Sequence, residues 1–295
     1  MLQHKFLMTT LTAALVFSGS IQADEGRSSH AGHFGFAPID ASADSAEWDP
    51  QAPWKLAEGF TQRVVADESD LNIYDGGRND WNDMNTVNET GPMAGRFLYR
   101  THEVRGEVEG GAVSVVDLET GEASVLVQDA TFNALDGIRW TPWGTILFAE
   151  ETNGGRLFEI ELNEDLKTAA AVHDRSAVGR MAHEGIEVGP DGSVYIVDEH
   201  RGQTSGCGYT PCGGGIFKFV PDSYGDLSSG SLYVLKVDGP DGVGQGQWVG
   251  PIDPANARIS GSDAGGTSYQ RPEDVQVIDN TLYVAITEGP RAQGV

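Results

Sequence analysis

An all-β fold is what this 295-residue sequence predicts. Three observations carry the prediction. Apolar residues alternate with period two through most of the chain. Gly, Pro and Asp punctuate the alternating runs where turns belong. One acidic hairpin pattern recurs at about 48 residues, a spacing in the range of repeated four-stranded units. No segment reads as a convincing amphipathic helix.

The clearest copy of the pattern runs from Gly179-Arg180 through His183-Glu184-Gly185-Ile186, turns at Pro190-Asp191-Gly192, and ends at Asp198-Glu199. In an antiparallel hairpin the start of one strand lies beside the end of the next. Glu184 is therefore expected beside Asp198 and Glu199. One repeat earlier, Asp136-Gly137-Ile138, Pro142-Trp143-Gly144 and Glu150-Glu151 occupy the same places. One further back, the ungapped register selects Asn88, with His102 and Glu103 at the second strand's end. Downstream, Glu273-Asp274-Val275 and Thr287-Glu288 repeat the pattern with one residue deleted.

Taken in order, residues 1–23 read as a secretory signal peptide: Lys5, a short apolar core over 11–17, and Ala23 at a cleavage-like site. The apolar run is too short to span a membrane, so export to a bacterial periplasm or beyond is expected. Residues 24–53 read as a flexible mature N-terminus, and 54–295 as the β domain. Within it, 54–66 reads as an entry strand and 67–90 as a long Asn- and Asp-rich loop. Strands follow over 96–103, 112–117 and 123–127. A four-strand run comes next over 135–140, 145–150, 156–161 and 169–172. Another covers 185–188, 194–197, 216–220 and 232–237. Cys207 and Cys212 lie between the second and third strands of that last run, and an exported chain makes a disulfide-closed loop their first reading. Residues 240–270 are Gly-, Pro- and Asp-rich and read as an insertion. Strands over 274–278 and 281–286 open another unit.

Four-stranded antiparallel units at this period indicate a β-propeller. About three and a half units are visible, fewer than close such a ring. The expectation is a propeller truncated at its C-terminus.

The formal net charge is −25, which excludes a nucleic-acid partner held through a basic face. Part of the acid has a sharper use. In a propeller the first strand of each unit lines the central channel, so Asn88, Asp136, Glu184 and Glu273 would form a ring there. His102, Glu103, Glu150, Glu151, Asp198, Glu199 and Thr287 would lie just outside it. Bare carboxylates at that density repel one another. Hard cations solve the problem, calcium (Ca2+) first and iron (Fe3+) second. Glu184 and Glu273 with the preceding Arg180 and Arg271 are the candidate catalytic group; the arginines would either hold the acids or donate to a bound phosphate. No Gly-x-Ser-x-Gly elbow, phosphate-binding loop, His-Glu-x-x-His or dinucleotide fingerprint occurs.

Several segments resemble the PhoX-type alkaline phosphatases (the DUF839 group). They are Thr141-Pro142-Trp143-Gly144-Thr145 leading to Glu150-Glu151, Gly179-Arg180 with His183-Glu184 and Asp198-Glu199, Ile216-Phe217-Lys218-Phe219-Val220-Pro221, and Arg271-Pro272-Glu273-Asp274 with Thr287. His102-Glu103 after a strand resembles a further stretch of that family. The resemblance implies a secreted six-bladed propeller, a calcium and iron cluster in its channel, and hydrolysis of phosphate monoesters. A monomer acting on a small phosphate ester is expected. Two departures stand out. The family places an iron-ligating cysteine just before the Thr-Pro-Trp-Gly-Thr motif, where ungapped spacing here gives Asp136; its twin-arginine export signal is not seen. Two alternatives stay open: a calcium lactonase or esterase of the SMP-30/gluconolactonase type, and a non-catalytic calcium-stabilised binding module.

Overall fold

The computed structural model describes residues 49, 52–71, 73, 81–106, 109–202, 213–239 and 242–288. The leader-like segment over 1–23, nearly all of 24–53 and the Cys207–Cys212 loop lie outside the described residues.

The described residues are all-β, with two short α-helices. Its first sheet is β1 (Asn82–Val87), β2 (Phe97–His102), β3 (Ala112–Asp117) and β4 (Ala123–Gln128), each antiparallel to the next. The second unit is β5 (Leu135–Trp140), β6 (Ile146–Gly155), β7 (Leu157–Leu162) and β8 (Ala169–Asp174). The third is β9 (Met181–Val188), β10 (Val194–Asp198), β11 (Ile216–Ser223), β12 (Asp226–Asp238) and β13 (Gln245–Ile252). A hairpin of β14 (Gln270–Ile278) and β15 (Thr281–Glu288) begins a fourth. The far end of β6 pairs with β9 at Glu151↔Ala182 and Gly155↔Met181, which joins the second unit to the third. Among the described residues no sheet closes on itself.

Strand alternation decides the packing. Successive side chains leave opposite faces of a strand, and here both faces are covered. Ile146 and Phe148 enter a core shared with Phe97, Tyr99, Val113 and Val115 of the first unit. Leu147 and Ala149, on the other face of the same strand, enter a core shared with Ile186, Val194, Ile196 and Phe219 of the third. Tyr195 and Val197 then face Val275 and Leu282 of the fourth. The second and third units are therefore each packed between their sequence neighbours. Burying a Leu, Ile or Phe side chain contributes about 1.5–3 kcal/mol, so these three inter-unit cores dominate the fold.

The innermost strands also meet directly. Trp140 donates its N–H to Thr86 Oγ1 at 3.0 Å, and Thr101 Oγ1 donates to the carbonyl of Asp136 at 2.5 Å. A Cβ on Gly137 would stand 2.0 Å from the Glu184 carbonyl oxygen, and one on Gly185 would stand 2.6 Å from Asp274 Cα. Glycine at these places lets neighbouring backbones touch.

Three expectations from the sequence need correction. The expected loop over 67–90 contains a helical turn, α1 (Glu68–Leu71), and the strand β1. β1 hides from pattern reading because its exposed positions are Asn82, Asp83 and Asn85, residues that ordinarily mark turns. The expected entry strand over 54–66 has no strand partner among the described residues, and Trp54 and Phe60 are exposed. The expected insertion over 240–270 is substantially structured. Its Gln245–Ile252 stretch is a fifth strand on the edge of the third sheet, where one side faces water and strong apolar alternation is not needed. It also carries α2 (Ala257–Asp263), whose Ala257 is fully buried.

Candidate metal centre

The same irregularity occurs in the inner strand of every unit. In β1, Asn82 pairs with His102 and Asn85 with Arg100, so Asp83 and Met84 together oppose Thr101. Asp136 and Gly137 oppose Ala149 in the second unit. Glu184 and Gly185 oppose Val197 in the third, and Glu273 and Asp274 oppose Ala285 in the fourth. Two residues against one is a β-bulge, a device that re-aims a side chain. In all four units the bulge begins at an acid.

That register replaces Asn88 with Asp83. The backbone agrees: Glu103 N–H donates to Trp81 O, Glu151 N–H to Ala134 O and Glu199 N–H to Ala182 O, each acceptor two residues before a bulge acid. Asn88 sits at the other end of β1, fully buried. Its Oδ1 accepts the Phe97 N–H at 2.8 Å and its Nδ2 donates to Met93 O, so it braces the 88–97 turn. The ungapped slide failed because the first hairpin is longer. Bulge acid and second-strand acid lie fifteen residues apart in the later three units and twenty in the first.

The bulge acids and the strand-end acids converge. Asp83, Glu103 and Asp136 each place a carboxylate oxygen within 4.8 Å of the others, and so do Asp136, Glu151 and Glu184. Asp136 belongs to both triads. Glu199 hydrogen-bonds Glu151, and Glu273 acts electrostatically on Glu184 from the margin. Each second-strand acid thus reaches forward to the next unit. Glu103 meets Asp136, and Glu151 meets Glu184.

Alternation splits the paired strand-end residues that the sequence placed together. Glu103, Glu151 and Glu199 face the cluster; His102, Glu150 and Asp198 face the other way. His102 Nε2 lies 2.7 Å from Ser114 Oγ. Glu150 is engaged by Arg156 and Asp198 by Arg258. These three expected ligands are therefore bound within the protein. Thr287 Oγ1 donates to Glu273 Oε1. Arg180 pairs with Asp174 at 2.8 Å and does not reach the cluster. Arg271 does: it contacts Glu199, and Glu273 at 3.0 Å. Sequence reading missed Arg105, which bridges Glu103 at 2.7 Å and Glu151 across two units. It also missed Asp83, which a gapped alignment on Glu103 would have found.

Electrostatically the cluster is unbalanced. Burial first, then the charges of Asp83 and Glu103, push Asp136 up to about 8. Burial and the hydrogen bond with Glu199 push Glu151 up to about 9. Burial, then Asp136, Glu151, Glu199 and Glu273, push Glu184 up to about 11. Glu199 goes the other way. Burial opposes its ionisation, but the hydrogen bonds from Glu151 and Arg271 outweigh it. Asp136 Oδ1 and Glu184 Oε2 are buried with no hydrogen-bond partner within the protein. Such groups are costly unless something else satisfies them. His183, fully buried beside Glu184 in sequence, donates from Nε2 to Gly179 O, and burial lowers its pKa to about 4, which keeps it neutral. An all-oxygen donor set with orphaned carboxylate oxygens suits a hard cation.

No protein-family model matches the chain, and no curated protein matches it. Among solved structures it is similar to Pseudomonas fluorescens PhoX in complex with vanadate, a transition state analogue. That likeness has TM-score 0.45 and 19% identity, over 68% of this chain and 57% of that one. It is also similar to Cellvibrio cellulosa alpha-L-arabinanase, with TM-score 0.32 and 14% identity over 64% of each chain. The chain thus spans less than two thirds of either structure's length.

Proposed function

We propose that the stacked sheets belong to a β-propeller whose channel mouth holds hard cations, calcium with iron(III) as the second candidate, and that the chain hydrolyses phosphate monoesters there. One observation carries the reading: two carboxylate triads share Asp136, and two of their buried oxygens, Asp136 Oδ1 and Glu184 Oε2, lack a hydrogen-bond partner within the protein. Two triads support two cations, held by Asp83, Glu103, Asp136, Glu151 and Glu184. When bound, such cations supply positive charge that draws a phosphoryl group in and offsets charge developing on its oxygens.

The remaining residues have roles of their own. Arg105 and Arg271 hold acids of the cluster through ion pairs. Arg271 keeps Glu199 ionised. Thr287 fixes Glu273. Phosphate esters are favoured over lactones by the ordered set of segments resembling the PhoX-type phosphatases, and by the paired triads, since one calcium would need only one. The leader-like 1–23 segment supports export. No helix among the described residues is long and apolar enough to cross a membrane. We take the active species to be a monomer.

The test is a paired assay of calcium-loaded protein on p-nitrophenyl phosphate and on a simple aldonolactone. Phosphate release that a chelator abolishes and calcium restores supports the proposal. Lactone opening alone moves the protein to the lactonase class, and calcium uptake without turnover makes it a binding module.

A further inference from the structure

In each of the first three units the cluster-facing acid on the second strand is preceded by a buried polar residue on the opposite face. His102, Glu150 and Asp198 are 2%, 3% and 0% exposed. Two of them are gripped by arginine. Glu150 receives Arg156 through Nε at 2.9 Å and Nη2 at 2.6 Å, and the Asn133 N–H at 3.1 Å. Asp198 receives Arg258 through Nε and Nη2, both at 2.6 Å, and the Ala182 N–H at 3.0 Å. Arg258 arrives from α2, sixty positions along the chain, and its Nη1 also donates to Asn153 Oδ1 at 2.6 Å.

The grip has a direct geometric consequence. Asp198 and Glu199 share a peptide unit, so holding the first on one face fixes the direction of the second on the other. Asp198 also holds the N–H of Ala182, two residues before Glu184. A single carboxylate thus pins the origins of Glu199 and Glu184. Glu150 does the same for Glu151, and through Asn133 it ties down the approach to Asp136. A planar guanidinium making two parallel bonds to a buried carboxylate is the rigid form of this contact.

We propose that Arg258 and Arg156 are positioning residues for the cation cluster. They act through Asp198 and Glu150 to set the spacing of Glu199, Glu184 and Glu151, and touch neither cation nor substrate. The segment carrying α2 is then a working part of the site. This rests on the reading of the cluster as a cation site.

The experiment is calorimetric titration of calcium into the full chain after chelator treatment, with thermal melting of each variant alongside. Arg258→Met and Arg156→Met are expected to weaken calcium binding by about tenfold to a hundredfold, the usual effect of losing a group that orients a ligand. Arg258→Lys keeps the charge without the fork and falls between, which also serves if the methionine variant does not fold. The control is Arg175→Met. Arg175 makes a comparable contact, Nε to Glu159 Oε2 at 2.7 Å, with Glu159 buried, but no cluster acid adjoins it. It should lower the melting temperature and leave calcium binding unchanged. Wild-type affinity in Arg258→Met and Arg258→Lys, or equal weakening in Arg175→Met, overturns the inference. A wild-type chain that takes up no calcium overturns the cation reading itself, a separate outcome.

Discussion

Asp83 lies in β1 and Asn88 one residue past its end, yet one faces an acidic cluster and the other braces a buried turn. They predict opposite phenotypes. Asp83→Asn should weaken calcium uptake by about tenfold, as loss of one ligand charge, with little change in stability. Asn88→Ala should leave calcium uptake intact and cost about 1–3 kcal/mol, because the Phe97 N–H loses its buried partner. Calcium titration and chemical denaturation of both variants separate the two roles. The raised carboxyls make a second prediction at this scale. Asp136, Glu151 and Glu184 titrate far above the roughly 4 of an unfolded carboxyl. Folding therefore keeps protons that the unfolded chain releases. Their contribution is fully present below about pH 4 and is lost as pH rises through about 8 and beyond. Chelator-treated protein should accordingly melt at lower temperature at pH 8.5 than at pH 5.5, and added calcium should reverse the loss. A melting temperature that rises over that interval would contradict the assignment.

Among the elements, the bulge is the recurring device. It re-aims one acid per unit, and in the second and third units it brings the following glycine against the next unit's backbone. Gly137→Ala would force a Cβ onto the Glu184 carbonyl. The strands must part, at about 1–3 kcal/mol or more, and both triads should loosen, so the variant should lose stability and calcium affinity together. Much at this level was legible in the sequence. Period-two apolar runs located the strands of the second and third units, and the repeat register selected Asp136 and Glu184, though not the bulges that carry them. β1 was not legible, because a strand whose outward residues are Asn and Asp has a loop's composition. The separation of Glu150 from Glu151, and of Asp198 from Glu199, follows from alternation alone. Their partners do not: Arg258 lies sixty residues from Asp198, and nothing local announces it.

At the scale of the whole molecule, each unit is stabilised by the neighbour or neighbours it packs against. Phe148 packs against Phe132 and Phe158 within its own unit, and its core extends to Phe97 and Tyr99 of the first. Phe148→Ala should cost about 3–5 kcal/mol and should loosen the first two units together, which hydrogen exchange would show as matched loss of protection in β2–β3 and β6–β7. The same stacking brings acids from neighbouring units into one cluster, and no single unit carries a complete triad. The proposed cation site is therefore shared by neighbouring units, with Asp136 at its junction. The most direct test is the number of cations bound per chain, measured by elemental analysis after equilibrium dialysis against calcium, for the wild type and for Asp136→Asn. Two cations are expected in the wild type, and loss of both in the variant. No bound cation in the wild type, or an unchanged number in Asp136→Asn, would contradict it.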